Sequence, residues 1–264
     1  MITNVASGWR VGGASVRGPS HIRSGAPNED AWLTVTDGAT RPTVAAVSDG
    51  HGAAPYFRSQ IGSAFAVRAA ASVLEAQLDD ADGGVSSAIL TRWRNDVRAH
   101  IAENPYSDAE RKQLIAPPLS PYGATLVAAG VNAGVMALVQ IGDGDLLIGY
   151  ESGRLERPLP AGPALSGELT FSLCQEDALS WFLSAVLWRD ANRPWPDFIF
   201  LATDGVSKSF RDDGAFEAEV ARLRASAFAD WDRFLAGAPD WLSTVSSRGS
   251  GDDATMCVAI RTAP

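Results

Sequence analysis

Basic residues are in short supply. Lys and Arg number 22 against 31 Asp and Glu, for a net charge of −9. No basic stripe is available to neutralise phosphates, so nucleic acid is not an expected partner. Cysteine is scarcer: Cys174 and Cys257 stand far apart in 264 residues, without metal-ligand spacing. That argues against a disulfide framework and fits a reducing, cytoplasmic setting. The first residues, MITNVASGWRVGG, hold neither a basic segment nor an apolar core, so no signal peptide is expected. Long unbroken apolar runs are missing too. The longest, 125-TLVAAGVNAGVMALVQIG-142, is interrupted by Asn132-Ala133-Gly134. It reads as two strands joined by a tight turn, not as a membrane span. Internal repeats, low-complexity segments and dividing linkers are also lacking, so residues 1–264 are read as one domain.

What is present is an ordinary globular composition, 46% hydrophobic and 20% charged, on a chain long enough to bury a sizeable core. Val- and Thr-rich or alternating runs at 8–18, 31–36 and 43–48 predict strands. Helical spacing then takes over, from Pro55 to about Leu78 and from Val85 to about Ile115, closed by Pro117-Pro118. Strands return at 123–131, 134–142 and 145–151, followed by a Pro- and Gly-rich stretch, 157-RPLPAGPALSG-167, within an irregular flap at about 153–173. A helix is predicted over 176-EDALSWFLSAVLW-188, a buried strand over 197–203, helices over 214–236 and 238–247, and a last strand over 253–261. Strands joined by short turns pair antiparallel, and the helices come in blocks. The expected fold is an α+β sandwich. The eight tryptophans, Trp181 and Trp188 among them, and Met136 and Met256 read as packing residues.

Acidic residues gather where apolar strands end. Asn28-Glu29-Asp30 precedes one strand, Asp49-Gly50-His51-Gly52 follows another, Asp204-Gly205 follows a third, and Asp252-Asp253 precedes a fourth. Gly142-Asp143-Gly144-Asp145 forms an acidic turn between two more. A single Asp-Gly is usually only a turn. Repetition beside buried strands carries more weight: if those strands are neighbours, the carboxylates meet at one rim. Two unit charges about 4 Å apart repel by roughly 4 kcal/mol at an effective dielectric of about 20, so such a rim needs protons or cations. Hard oxygen donors without His or Cys partners favour Mg²⁺ or Mn²⁺ over zinc.

The ordered series Asn28-Glu29-Asp30, Asp49-Gly50-His51-Gly52, Gly123-Ala124-Thr125, Gly142-Asp143, Asp204-Gly205 and Gly251-Asp252-Asp253-Ala254-Thr255 resembles the metal-dependent protein phosphatases of type 2C. The likeness runs from Asn28 to the last strand. It implies a four-layer α-β-β-α sandwich of two antiparallel sheets flanked by helices. It further implies hydrolysis of phosphoserine and phosphothreonine in proteins, in signalling opposed to a serine/threonine kinase. Two Mn²⁺ or Mg²⁺ ions would share Asp49 and activate a bridging water. By the same resemblance Asp49 and the Gly50 carbonyl are ligands, Asp204 and Asp252 complete one metal site, and Glu29 and Asp30 hold the other directly or through water. His51 is the candidate general acid; its bland alternative is a structural histidine capping the next helix.

Three positions depart from the family pattern. The arginine that usually grips phosphate is replaced by Gly25, with Arg23 and His21 nearby in 21-HIRSGAPNED-30. The aspartate that shares a third ion with the counterpart of Asp143 is replaced by Lys208, which is expected to pair with Asp143 or to touch phosphate. The usual final Asp-Asn is Asp252-Asp253, an added negative charge that Arg248 could offset. Two other functions stay open beside the phosphatase: a pseudophosphatase that only binds phosphoproteins, and a hydrolase of small phosphate esters.

Overall fold

The computed structural model describes residues 8–36, 41–81, 84–114, 118–160 and 170–262. The chain begins with β1 (Trp9–Val16), a short α1 (Pro19–Ser24), β2 (Ala31–Val35) and β3 (Thr43–Ser48). Three helices follow: α2 (Ser59–Gln77), α3 (Val85–Glu103) and α4 (Asp108–Arg111). Next come β4 (Leu126–Val131), β5 (Val135–Ile141), β6 (Asp145–Gly149), β7 (Leu155–Glu156), β8 (Leu183–Trp188) and β9 (Phe198–Ala202). The chain closes with α5 (Asp204–Ser207), α6 (Asp213–Ala229), α7 (Trp231–Arg248) and β10 (Ala254–Arg261).

The strands form two five-stranded antiparallel sheets, ordered β1-β10-β9-β6-β7 and β2-β3-β4-β5-β8. Their side chains explain the stacking. In β3, Ala45 and Val47 face the opposite sheet, while Val44 and Ala46 face α2 and α3. In β10, Cys257 and Ala259 point into the space between sheets, and Met256, Val258 and Ile260 pack under α6 and α7. A strand buried on both faces reads as a continuous apolar run. The result is the expected α-β-β-α sandwich, with both cysteines free and buried. Among the described residues, no helix is long and apolar enough to cross a membrane.

Residues 183–188 are not helical: they form edge strand β8, paired with β5 from Gln140↔Leu183 to Val135↔Trp188. The open edge of β5 supplies a ladder that local periodicity does not reveal. A short 3₁₀ turn, Ala178–Trp181, is all that remains of the predicted helix. The last two helices divide at Asp230, whose carboxylate accepts from the Arg233 backbone N–H at 3.1 Å, and Pro239 lies inside α7. The Asp230 cap starts α7 there, and the helix continues through Pro239. Ahead of Asn28 the chain forms α1, closed by Gly25 at φ 79°. The middle of the expected flap, 161–169, and Pro117 lie outside the described residues. The flap's first part carries β7. Trp181 stacks on Phe171 with ring centroids 4.0 Å apart, and Trp188 is exposed.

The layer of α2 and α3 is pinned by Trp93, fully buried, whose indole N–H donates to the Gly62 carbonyl at 2.9 Å. Trp93→Ala removes that contact and a large buried volume. It should lower the unfolding free energy by about 3–5 kcal/mol in a urea titration; a loss below about 1 kcal/mol would show that this layer is not coupled to the core.

Candidate metal centre

The sheet topology brings the acidic strand ends together. Asp49 leaves the last residue of β3, Asp204 leaves β9, Asp252 and Asp253 lead into β10, Glu29 and Asp30 lead into β2, and Asp143 sits in the β5–β6 turn. Antiparallel pairing of β2 with β3, and of β10 with β9, places these termini at one end of both sheets. The electrostatics measure their convergence. Burial pushes the Asp49 carboxyl well above the usual range, and the charges of Asp30, Asp204, Asp252 and Asp143 push it further. Burial first, then the neighbouring acids, raises Asp30 from 3.8 to about 7 even though Thr203 and Thr255 hydroxyls oppose the shift. Burial and then Asp143 raise Asp204 to about 6.

The loop after β3 is built for close approach. The Asp49 N–H donates to Thr125 Oγ1 at 3.0 Å, and the Thr125 N–H donates back to the Asp49 carbonyl at 2.8 Å. A Cβ on Gly50 would meet the Glu29 carbonyl oxygen at 2.7 Å and the Ser59 backbone at 2.9 Å, so only glycine fits there. His51 follows, its N–H donating to the Gly123 carbonyl at 3.1 Å and its ring edge-on to Tyr56 at 4.8 Å. Burial lowers the imidazole pKa to about 4, against a raising influence from Asp143, so the ring is neutral at pH 7.

Each remaining acid has its own support. Asp30 Oδ2 accepts from Thr203 Oγ1 at 2.8 Å, and Glu29 Oε1 accepts from Ser59 Oγ at 2.9 Å. Asp143 Oδ1 accepts from Thr170 Oγ1 at 2.9 Å. Asp253 is almost fully buried and accepts from the Gly18 and Glu29 N–H groups, both at 2.7 Å, and from His21 Nδ1 at 2.8 Å. Sequence reading treated Asp253 as a stray charge to be offset by Arg248. It is instead the post that ties α1, β2 and β10 together, and its basic partner is His21. The only sequence signal for this role was the departure from Asp-Asn. A Cβ on Gly205 would lie 1.9 Å from the Asp253 carbonyl oxygen, so α5 can pack this closely only through glycine.

Two basic side chains enter the cluster. His21 Nε2 lies 3.9 Å from Glu29 Oε2 and 3.7 Å from Asp252 Oδ1. Burial lowers the His21 pKa, but Asp253, Asp252 and Glu29 together raise it above its ordinary value. Lys208 Nζ contacts Asp204 Oδ2 and lies 3.1 Å from Asp143 Oδ2. Arg23 remains exposed on α1, donating to Ser20 Oγ at 3.0 Å. The donor set fits hard divalent ions: buried carboxylate oxygens with raised pKa values, short of positive charge. Yet among the described residues no three His, Cys, Asp or Glu side chains close around a common point in coordinating geometry. Lys208 stands between Asp204 and Asp143, and His21 between Glu29 and Asp252. A separate cavity of 960 Å³, lined by Arg10, Arg189, Arg224, Trp231 and Arg261, opens at the other end of β10. Eight residues at about 3.3 Å each separate it from the acidic rim.

An α-β-β-α sandwich with acidic strand ends gathered at one rim is the architecture of a metal-dependent phosphoric monoester hydrolase. A sequence model of the family described as protein phosphatase 2C matches residues 17–242, and the chain belongs to that family. Its members depend on Mn²⁺ or Mg²⁺. No protein in a search of curated proteins matches the chain. Solved structures share the fold. The Mycobacterium tuberculosis serine/threonine phosphatase PstP/Ppp is 20% identical with a TM-score of 0.60, covering 97% of this chain and 100% of that one. The catalytic domain of PstP in complex with two manganese ions gives 20% identity and a TM-score of 0.59, covering 97% and 99%. PppA, a regulatory component of a type VI secretion system in Pseudomonas aeruginosa, gives 18% and 0.59, covering 97% and 99%.

The raised carboxyls set a pH signature. A group whose folded pKa exceeds its unfolded value binds its proton more tightly in the fold. For Asp30 and Asp204 that stabilisation is complete below about pH 4 and lost as pH rises through about 6 to 7. A divalent ion held by these carboxylates would substitute for the lost protons. The gap in Tm between Mn²⁺-loaded and chelator-treated protein should therefore widen from about pH 5 to about pH 7.5. A gap independent of pH would contradict the cluster's electrostatics.

Proposed function

We propose that the chain removes phosphate from phosphoserine and phosphothreonine in proteins phosphorylated by a serine/threonine kinase. The observation that carries this reading is the convergence of Asp30, Asp49, Asp143, Asp204 and Asp252 on one carboxylate-rich rim beside a half-buried imidazole. Asp49 and the Gly50 carbonyl would hold two divalent ions in common with Asp204 and Asp252 on one side, and with Glu29 and Asp30 on the other. Those ions would supply a water of lowered pKa and neutralise charge on the phosphate oxygens.

The chain's own groups do the rest. His51 faces the rim and is fixed by Gly123 and Tyr56. Its ring is neutral without substrate, and a phosphate dianion alongside favours the imidazolium. The proton is then placed where the departing serine or threonine oxygen needs it. His21, anchored through Nδ1 by Asp253, keeps Nε2 towards Glu29 and Asp252, and Arg23 is exposed on the same short helix α1. They stand in for the absent arginine at Gly25 in gripping phosphate. The buried free thiols support a reducing, cytoplasmic location.

A phosphothreonine peptide assayed with Mn²⁺ and with chelator tests the reading. Turnover should require the metal and vanish in Asp49→Asn. His51→Gln should lower kcat by about 10²–10⁴ while Mn²⁺ binding persists. Mn²⁺-loaded, folded wild type that turns nothing over would overturn it. Tight phosphopeptide binding in that case would favour the pseudophosphatase, to which the internal ion pairs of Lys208 lend support.

A further inference from the structure

We infer that Lys208 is a built-in counter-ion that holds the position between Asp143 and Asp204 in place of a divalent cation. The inference rests on the metal-centre reading above and concerns what this chain's own lysine does to it. Local structure dictates the placement. Asp204 opens α5, and Lys208 stands four residues on, its backbone N–H donating to the Asp204 carbonyl at 2.8 Å. One helical turn therefore stacks the side chains, as expected for an i, i+4 pair. The ammonium contacts Asp204 Oδ2 and reaches across to Asp143 Oδ2 at 3.1 Å.

Asp143 is thereby satisfied on both oxygens, since Thr170 Oγ1 donates to Oδ1 at 2.9 Å. It needs no ion. Asp204 has one oxygen engaged by Lys208. Among the described residues, the Asp49 carboxylate accepts no hydrogen bond and meets no cation, though it is the most crowded by other acids. The demand for divalent charge thus falls on Asp49. A divalent ion that extends to Asp204 must take over an oxygen Lys208 holds, and an ion at Asp143 would sit against the ammonium, which like-charge repulsion opposes.

The test is a Mn²⁺ titration that counts bound ions by electron paramagnetic resonance, alongside the Tm of chelator-treated protein. Wild type, Lys208→Gln and Lys208→Arg are compared, with folding confirmed by circular dichroism. Lys208→Gln should bind one further ion per chain or tighten the weakest site by about tenfold. Its metal-free Tm should fall, because Asp143 and Asp204 lose their shared cation. Lys208→Arg keeps the charge and should behave as wild type. Identical stoichiometry, affinity and metal-free Tm in folded Lys208→Gln would overturn the inference. If wild type nonetheless binds Mn²⁺ and hydrolyses phosphopeptide, the phosphatase reading survives that failure. Wild type that neither binds Mn²⁺ nor turns over would sink the phosphatase reading, and the inference with it.

Discussion

Repulsion among carboxylates at one rim of the sandwich is the constraint to which the rest of the site answers. Asp30 and Asp204 are buried and Asp49 is half-buried where strands leave the core, and the charges of Asp30 and Asp204 both raise the pKa of Asp49. Left alone, such a cluster would favour protonation or rupture. The strands themselves are held by the apolar layers between the sheets and under the helices, far from the charges. Burial in those layers holds the acids together against their own field.

The chain manages part of this charge internally. Backbone N–H groups and the His21 ring take Asp253 out of play, Thr203 and Ser59 support Asp30 and Glu29, and Lys208 joins Asp143 to Asp204. Hydroxyl and amide donors lower the energy of a carboxylate without adding a mobile charge. Among the described residues, Asp49 is left as the acid whose carboxylate meets no hydrogen-bond donor or cation. The site is thus divided between residues that are satisfied by the fold and one residue that calls for a cation from outside. The neutral His51 stands at its edge, ready to respond to a bound anion.

Much of this was legible in the sequence because the strands that carry the acids are buried on both faces. Val44 to Val47, Phe198 to Ala202 and Met256 to Ile260 stand out as unbroken apolar runs, so the carboxylates near their ends stand out too. Strand β8 was less legible. Its residues are half-exposed, and only the partner edge of β5 decides their conformation. The split at Asp230 depended on a cap that competes with the more conspicuous Pro239. The role of Asp253 was hidden for another reason: its donors, Gly18, His21 and Glu29, lie more than two hundred residues away. No local pattern encodes such a contact.

The central claim is that Asp49 is the point at which outside cations enter. Crystals grown with Mn²⁺, with anomalous difference maps recorded at the manganese edge, test it most directly. The account predicts two peaks that share the Asp49 carboxylate, and none between Asp143 and Asp204 while Lys208 is in place. Manganese bound away from Asp49, or no peak in protein that hydrolyses phosphopeptide, would contradict it.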